Sequence, residues 1–112
     1  MASKLREIIE CLWTNEGISL NVGYSSESEG NYLNKYNANL LDSEGMTDYL
    51  QLMVRRTGTN PALRFEKAEE DARNILNKIR ENFEVAGQNE IPMGDSGNYF
   101  EYIINFRVFE GG

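Results

Sequence analysis

The stretch Leu50–Ile79, LQLMVRRTGTNPALRFEKAEEDARNILNKI, joins the two periodicities that decide the fold. Leu50, Leu52 and Val54 recur at every second position and mark one face of a strand. Tyr49, Gln51, Met53 and Arg55 mark the other face, which is mixed in character. RTGTNP then breaks the strand. Asn60 suits a helix cap and Pro61 the first helical position. Phe65, Ala68, Ala72, Ile75, Leu76, Ile79 and Phe83 form one apolar stripe, which predicts a helix over 61–83 with Gly87 as its stop. Glu66, Glu69, Glu70 and Asp71 crowd its N-terminal half, and Lys78 and Arg80 lie near its C-terminal end, an order that suits the helix dipole.

Working outward, Leu5, Ile8, Ile9, Leu12 and Trp13 recur at helical spacing, so a short helix is predicted over 3–15, with Ser3 as cap and Gly17 as stop. Ile18, Leu20, Val22 and Tyr24 alternate with polar residues and predict a half-buried strand. SSESEGN (25–31) reads as a polar, acidic loop. Tyr32, Tyr36, Ala38 and Leu40 predict a second strand, and DSEG (42–45) a turn, so 18–56 reads as a meander with one long tip. Met93–Asn98 reads as a turn. Beyond it, Phe100, Tyr102, Ile104, Phe106 and Val108 form one apolar face of a closing strand. Its other face also carries Tyr99, Ile103 and Phe109. A strand apolar on both faces is buried on both, or one face meets another molecule.

Two amphipathic helices and four or five strands each need cover. The economical arrangement is an α+β fold: one mostly antiparallel four- to five-stranded sheet, with the short N-terminal helix and the long helix packed on one face. The 112 residues are read as a single domain.

Composition narrows the function. The formal net charge is −7, so free nucleic-acid binding is disfavoured as the main activity, because phosphate contacts need a basic surface. There is no histidine and one cysteine, Cys11, which removes the ordinary zinc site and the Cys–His nucleophile pair. Cys11 reads as a small, partly buried residue. No apolar run approaches a membrane span, and MASKLREIIECLW is too charged for a signal peptide, so a cytoplasmic protein without membrane attachment is expected.

The search for chemistry finds no catalytic residues, cofactor or metal ligands to nominate. Glu69, Glu70 and Asp71 are consecutive and so splay around a helix. DSEG and ESEG lack the spaced oxygen ligands of a calcium loop. GDSGN (94–98) has the letters of a serine-protease motif but reads as a turn, and RRTGTNP lacks the spacing and lysine of a phosphate loop. Arg55 and Arg56 admit three readings: strand-end cations balancing nearby acids, a contact with an acidic neighbouring subunit, or a nucleic-acid contact. Arginine suits an interface because its fork pairs bidentately with carboxylates.

The order of strand with terminal arginine, break, long helix and hairpin closing on an aromatic-rich strand resembles the tail terminator proteins of long-tailed bacteriophages, also known as tail completion or minor capsid proteins. The residues that carry the likeness are YLQLMVRRTGTNPALRFEKAEEDARNILNKI (49–79) and IPMGDSGNYFEYIINFRVFEGG (91–112), with Ala68, Ala72, Ile75, Leu76 and Ile79 in the helix and Asn105–Val108 (NFRV) in the closing strand. The resemblance implies a homo-oligomeric ring, usually a hexamer, that caps the tail tube and joins it to the head–neck connector proteins. It implies a virion location after assembly in the host cytoplasm, no enzyme activity, and a channel that DNA passes through without specific binding. An acidic wall suits such a channel. On this reading the candidate subunit interface is Met53, Arg55, Arg56, Tyr99, Ile103 and Phe109. The candidate lumen or inter-ring loop is Glu27, Glu29 and Tyr32. The alternatives are another head–tail connector protein, or a monomeric acidic binding module or inhibitor.

Overall fold

In the described residues, the chain runs α1 (Lys4–Glu16), β1 (Gly30–Lys35), β2 (Thr47–Arg56), α2 (Pro61–Asn82), β3 (Val85–Asp95) and β4 (Phe100–Phe109). This computed structural model describes residues 4–23, 25–35 and 47–109. Ser3, Tyr24, the second half of the expected Tyr32–Leu40 strand and the 42–45 turn lie outside them.

The strands form one antiparallel sheet in the order β1-β2-β4-β3. β4 therefore sits between β2 and β3, the two strands that α2 connects. Its sequence explains the central position: Tyr102, Ile104, Phe106 and Val108 face the helices, Ile103 faces the other way, and all five are buried. The fold is the expected α+β arrangement, with both helices packed on the same face of the sheet. The main core lies between: Ile8 and Leu12 of α1, Ala68, Ala72, Ile75, Leu76 and Ile79 of α2, and Leu50, Leu52 and Val54 of β2. Phe65 meets Phe100 edge to face, with ring centroids 5.0 Å apart.

α2 begins as its sequence requires. Asn60 holds an extended backbone, and its side chain accepts a hydrogen bond from Leu63 N at 2.9 Å, with Pro61 opening the helix. The helix ends at Asn82, and Phe83 closes it by donating its N–H to Ile79 O. Gly87 is thus not the stop. It lies inside β3 at φ 67°, where the pairing register with β4 shifts between Ala86 and Asn89. α1 does stop at Gly17, whose φ of 68° lets the N–H groups of Gly17 and Ile18 turn back to the carbonyls of Trp13 and Leu12. Trp13, expected in the buried stripe, is 63% exposed. It lies about 100° around the helix from Leu12, past the edge of the stripe.

The expected strand over 18–24 is a correction. Leu20 is buried, but the segment forms a single parallel bridge, Asn21 with Tyr32, beside β1. Asn21 N donates to Asn31 O at 2.9 Å and Leu33 N to Asn21 O at 2.8 Å. One step on, the Asn34 side chain takes the place of a ladder partner, accepting from Gly23 N and donating to Gly23 O. Strand pairing begins at Gly30, inside the expected 25–31 loop. The turn expected over 93–98 is shorter: β3 runs on to Asp95, and Ser96–Tyr99 makes the turn, with Ser96 N donating to Tyr99 O. β3 was not legible as a strand, because VAGQNEIPMGD carries no alternation of apolar and polar residues.

Candidate subunit interface

The helix-free face of the sheet is built from side chains that alternate with the core positions. The antiparallel register sets them in rows. Met53 lies opposite both Tyr32 and Ile103, and Ile103 opposite Ile91, giving an apolar row across all four strands. Tyr32, Met53 and Ile103 form a second, small hydrophobic cluster with Ile91 packed against it. Gln51 and Asn105 form a polar row beside it, joined at 3.2 Å. Tyr49 and Arg107 form the next, and Arg55 and Glu101 lie on the far side of the apolar row.

Of the residues nominated for an interface, Met53, Arg55, Tyr99, Ile103 and Phe109 share this face, while Arg56 points to the helices. Successive residues of a strand alternate sides, so two neighbouring arginines have different surroundings. Arg55 donates to Glu101 Oε1 at 2.9 Å and to the carbonyls of Ser25 and Glu27. Its guanidinium lies 5.4 Å from the Tyr32 ring centroid and 5.1 Å from that of Tyr99. Arg56 pairs with Asp71 at 2.6 Å and donates to Asn31 Oδ1 at 2.7 Å. Both arginines therefore balance acids of their own chain, and both tie the 25–31 segment to β2.

The nominated loop residues separate. Tyr32 is not in the loop: it is a strand residue, 4% exposed, held in the second cluster under Arg55. The apolar row needs a large side chain opposite Met53, and Tyr32 supplies it. Glu27 is exposed and contributes its carbonyl to Arg55. Glu29 accepts from both Thr57 Oγ1 (2.7 Å) and Thr57 N (3.1 Å), which holds its carboxyl below the usual range.

Sequence reasoning missed two polar anchors. Arg64, within the long helix, is 7% exposed and clasps Asp95 at the end of β3. Those bonds hold the Asp95 carboxyl below its ordinary range. Tyr102 donates its hydroxyl to Glu90 Oε1 at 2.6 Å, and Arg73 donates to the same oxygen at 2.9 Å. Burial, then the Glu90 bond, pushes the Tyr102 hydroxyl up to about 12, while the Tyr102 bond leads in lowering Glu90. An arginine in the first turn of a helix and an acid at a strand end carry no local signal of pairing, because the contact spans 31 residues.

The arrangement offers surfaces and clamps. In GDSGN, Asp95 is occupied by Arg64, and Ser96 Oγ bonds Tyr99 O within its own turn. Among the described residues no cluster of three or more His, Cys, Asp or Glu is placed to hold a metal ion. No described helix is long and apolar enough to cross a membrane. No protein-family model matches the chain, and no curated protein matches it.

Proposed function

We propose that the chain is a structural, non-enzymatic subunit of a ring, acting as the tail terminator of a long-tailed bacteriophage between the tail tube and the head–neck connector. The observation that carries this reading is the two-sided build of the subunit. Both helices cover one face of the sheet, and the opposite face collects Met53, Arg55, Tyr99, Ile103 and Phe109, five of the six residues that strand alternation and the resemblance nominate for subunit contact, with Arg56 on the helix side. The resemblance over 49–109 supports this class of assembly, and the net charge of −7 suits a channel wall that DNA slides past.

A second reading, a monomeric acidic binding module, draws on a specific observation. Met53 is 3% and Ile103 6% exposed within one chain, so a neighbour gains little apolar area from them. Light scattering over a concentration series, with negative-stain imaging of the same fractions, separates the two. A closed ring, expected to be a hexamer, supports the terminator reading. A monomer at every concentration overturns it in favour of the binding module.

A further inference from the structure

Resting on the ring reading above, we infer that subunits join head to tail: Arg107 on the helix-free sheet face of one copy receives the Glu66 and Glu70 carboxylates on α2 of the next. Arg107 is half-buried between two aromatic rings, its guanidinium 6.0 Å from the Tyr49 centroid and 5.7 Å from that of Phe109. Gly87 makes room for it: a Cβ there would sit 3.2 Å from Arg107 Nε. Arg55, Arg56, Arg64 and Arg73 each pair with a carboxylate of their own chain, and Arg107 pairs with none among the described residues. Among the described residues it is a positioned cation without an anion, in a chain with an excess of acids.

The complementary feature lies on the opposite side of the molecule. Glu66 and Glu70 are one turn apart and exposed, and neither forms an ion pair or hydrogen bond among the described residues. Their neighbours differ: Glu69 pairs with Arg73, and Lys67 is held on the Thr57 carbonyl. The sheet lies between Arg107 and these glutamates, so they cannot meet within one chain. A contact between opposite faces of identical subunits is heterologous, and repetition of a heterologous contact is what closes a ring. A guanidinium carries five N–H donors, enough to bond one carboxylate through its fork and a second beside it.

The test uses charge reversal and mixing. Arg107→Glu alone, and Glu66→Lys with Glu70→Lys, are each expected to weaken association roughly a hundredfold by light scattering. Mixing the two variants restores assembly. The carboxylate introduced in one variant then faces the two ammonium groups introduced in the other, and each remaining Arg107 meets an intact glutamate pair. Circular dichroism verifies the fold, and Arg107→Gln, which keeps most of the stem, replaces Arg107→Glu if the reversal unfolds the chain. Loss of assembly without rescue on mixing overturns the head-to-tail pairing. Assembly untouched by either variant overturns this contact and leaves the ring reading standing. A wild-type chain that remains monomeric throughout overturns both.

Discussion

Arg64 and Asp95 meet through two parallel hydrogen bonds, Nε to Oδ1 at 2.6 Å and Nη2 to Oδ2 at 2.8 Å. The same guanidinium donates to Gly58 O at 2.9 Å, so one side chain fastens the first turn of α2 to the end of β3 and to the link from β2. Removing either partner leaves the other unpaired. Arg64→Ala and Asp95→Asn are each expected to lower the urea midpoint, and the double variant to lose less than the sum. Arg64→Lys recovers only part, because an ammonium cannot make the paired fork.

Asp95, Glu29 and Glu90 all have carboxyls held below their ordinary values of 3.8 and 4.5. Their contribution is present above those values and is lost as pH falls through the depressed folded-state values. Stability measured by denaturant titration is therefore expected to be level above about pH 5 and to decline below about pH 4. In Asp95→Asn the acid decline becomes shallower.

Tyr102 has the opposite sign. Its hydroxyl is raised from 10.0 to about 12, so the unfolded chain releases that proton first. The associated stability is complete below pH 10 and is lost as pH rises from 10 to about 12. Tyr102→Phe is expected to cost about 1 kcal/mol at neutral pH, as one hydrogen bond to a partly solvated carboxylate is removed. It also removes the transition near pH 12 that Tyr102 contributes to an ultraviolet titration.

The cap at Asn60 is a local contribution. Asn60→Ala is expected to destabilise by about 1 kcal/mol in thermal unfolding, while Asn60→Asp, which keeps an acceptor at the positive end of α2, stays near wild type.

Gly87 and Gly17 form a matched pair. Both have left-handed backbones, at φ 67° and 68°, but a Cβ at Gly17 meets nothing within 4 Å while one at Gly87 meets Arg107. Gly17→Ala is expected to cost roughly 1–2 kcal/mol from backbone strain alone. Gly87→Ala is expected to cost more, and the difference in melting measures how closely Arg107 is held.

The legible parts of the fold were those whose signal is local. α2 announces itself through Asn60, Pro61 and the Ala68–Ile79 stripe, and β4 through apolar residues on both faces. The segment around Ile18–Leu20 was legible as buried but not as lacking a ladder: alternation reports burial, whereas backbone pairing with β1 among the described residues is confined to Asn21, with the Asn31 and Asn34 side chains holding Ser19 and Gly23. β3 gave no pattern because it lies at the margin of the sheet, largely exposed, with Gly87, Pro92 and Gly94 in its length. In the candidate interface, the shared face of Met53, Arg55, Ile103 and Phe109 follows from strand parity. The partners of Arg55 and Arg56 do not, since they come from segments 15 to 46 residues away.

The two margins of the sheet bear on how the chain behaves when crowded. On one side, Asn21 occupies the outward Asn31 carbonyl and Leu33 N–H of β1, and the Asn34 side chain holds Gly23 alongside. On the other, β3 interrupts its own ladder with two register shifts and a proline. An exposed, regular margin is where identical chains zip into fibrils, and among the described residues neither margin is regular. On the proposed ring reading, neighbouring subunits are therefore expected to meet through side chains and not by extending one another's sheets.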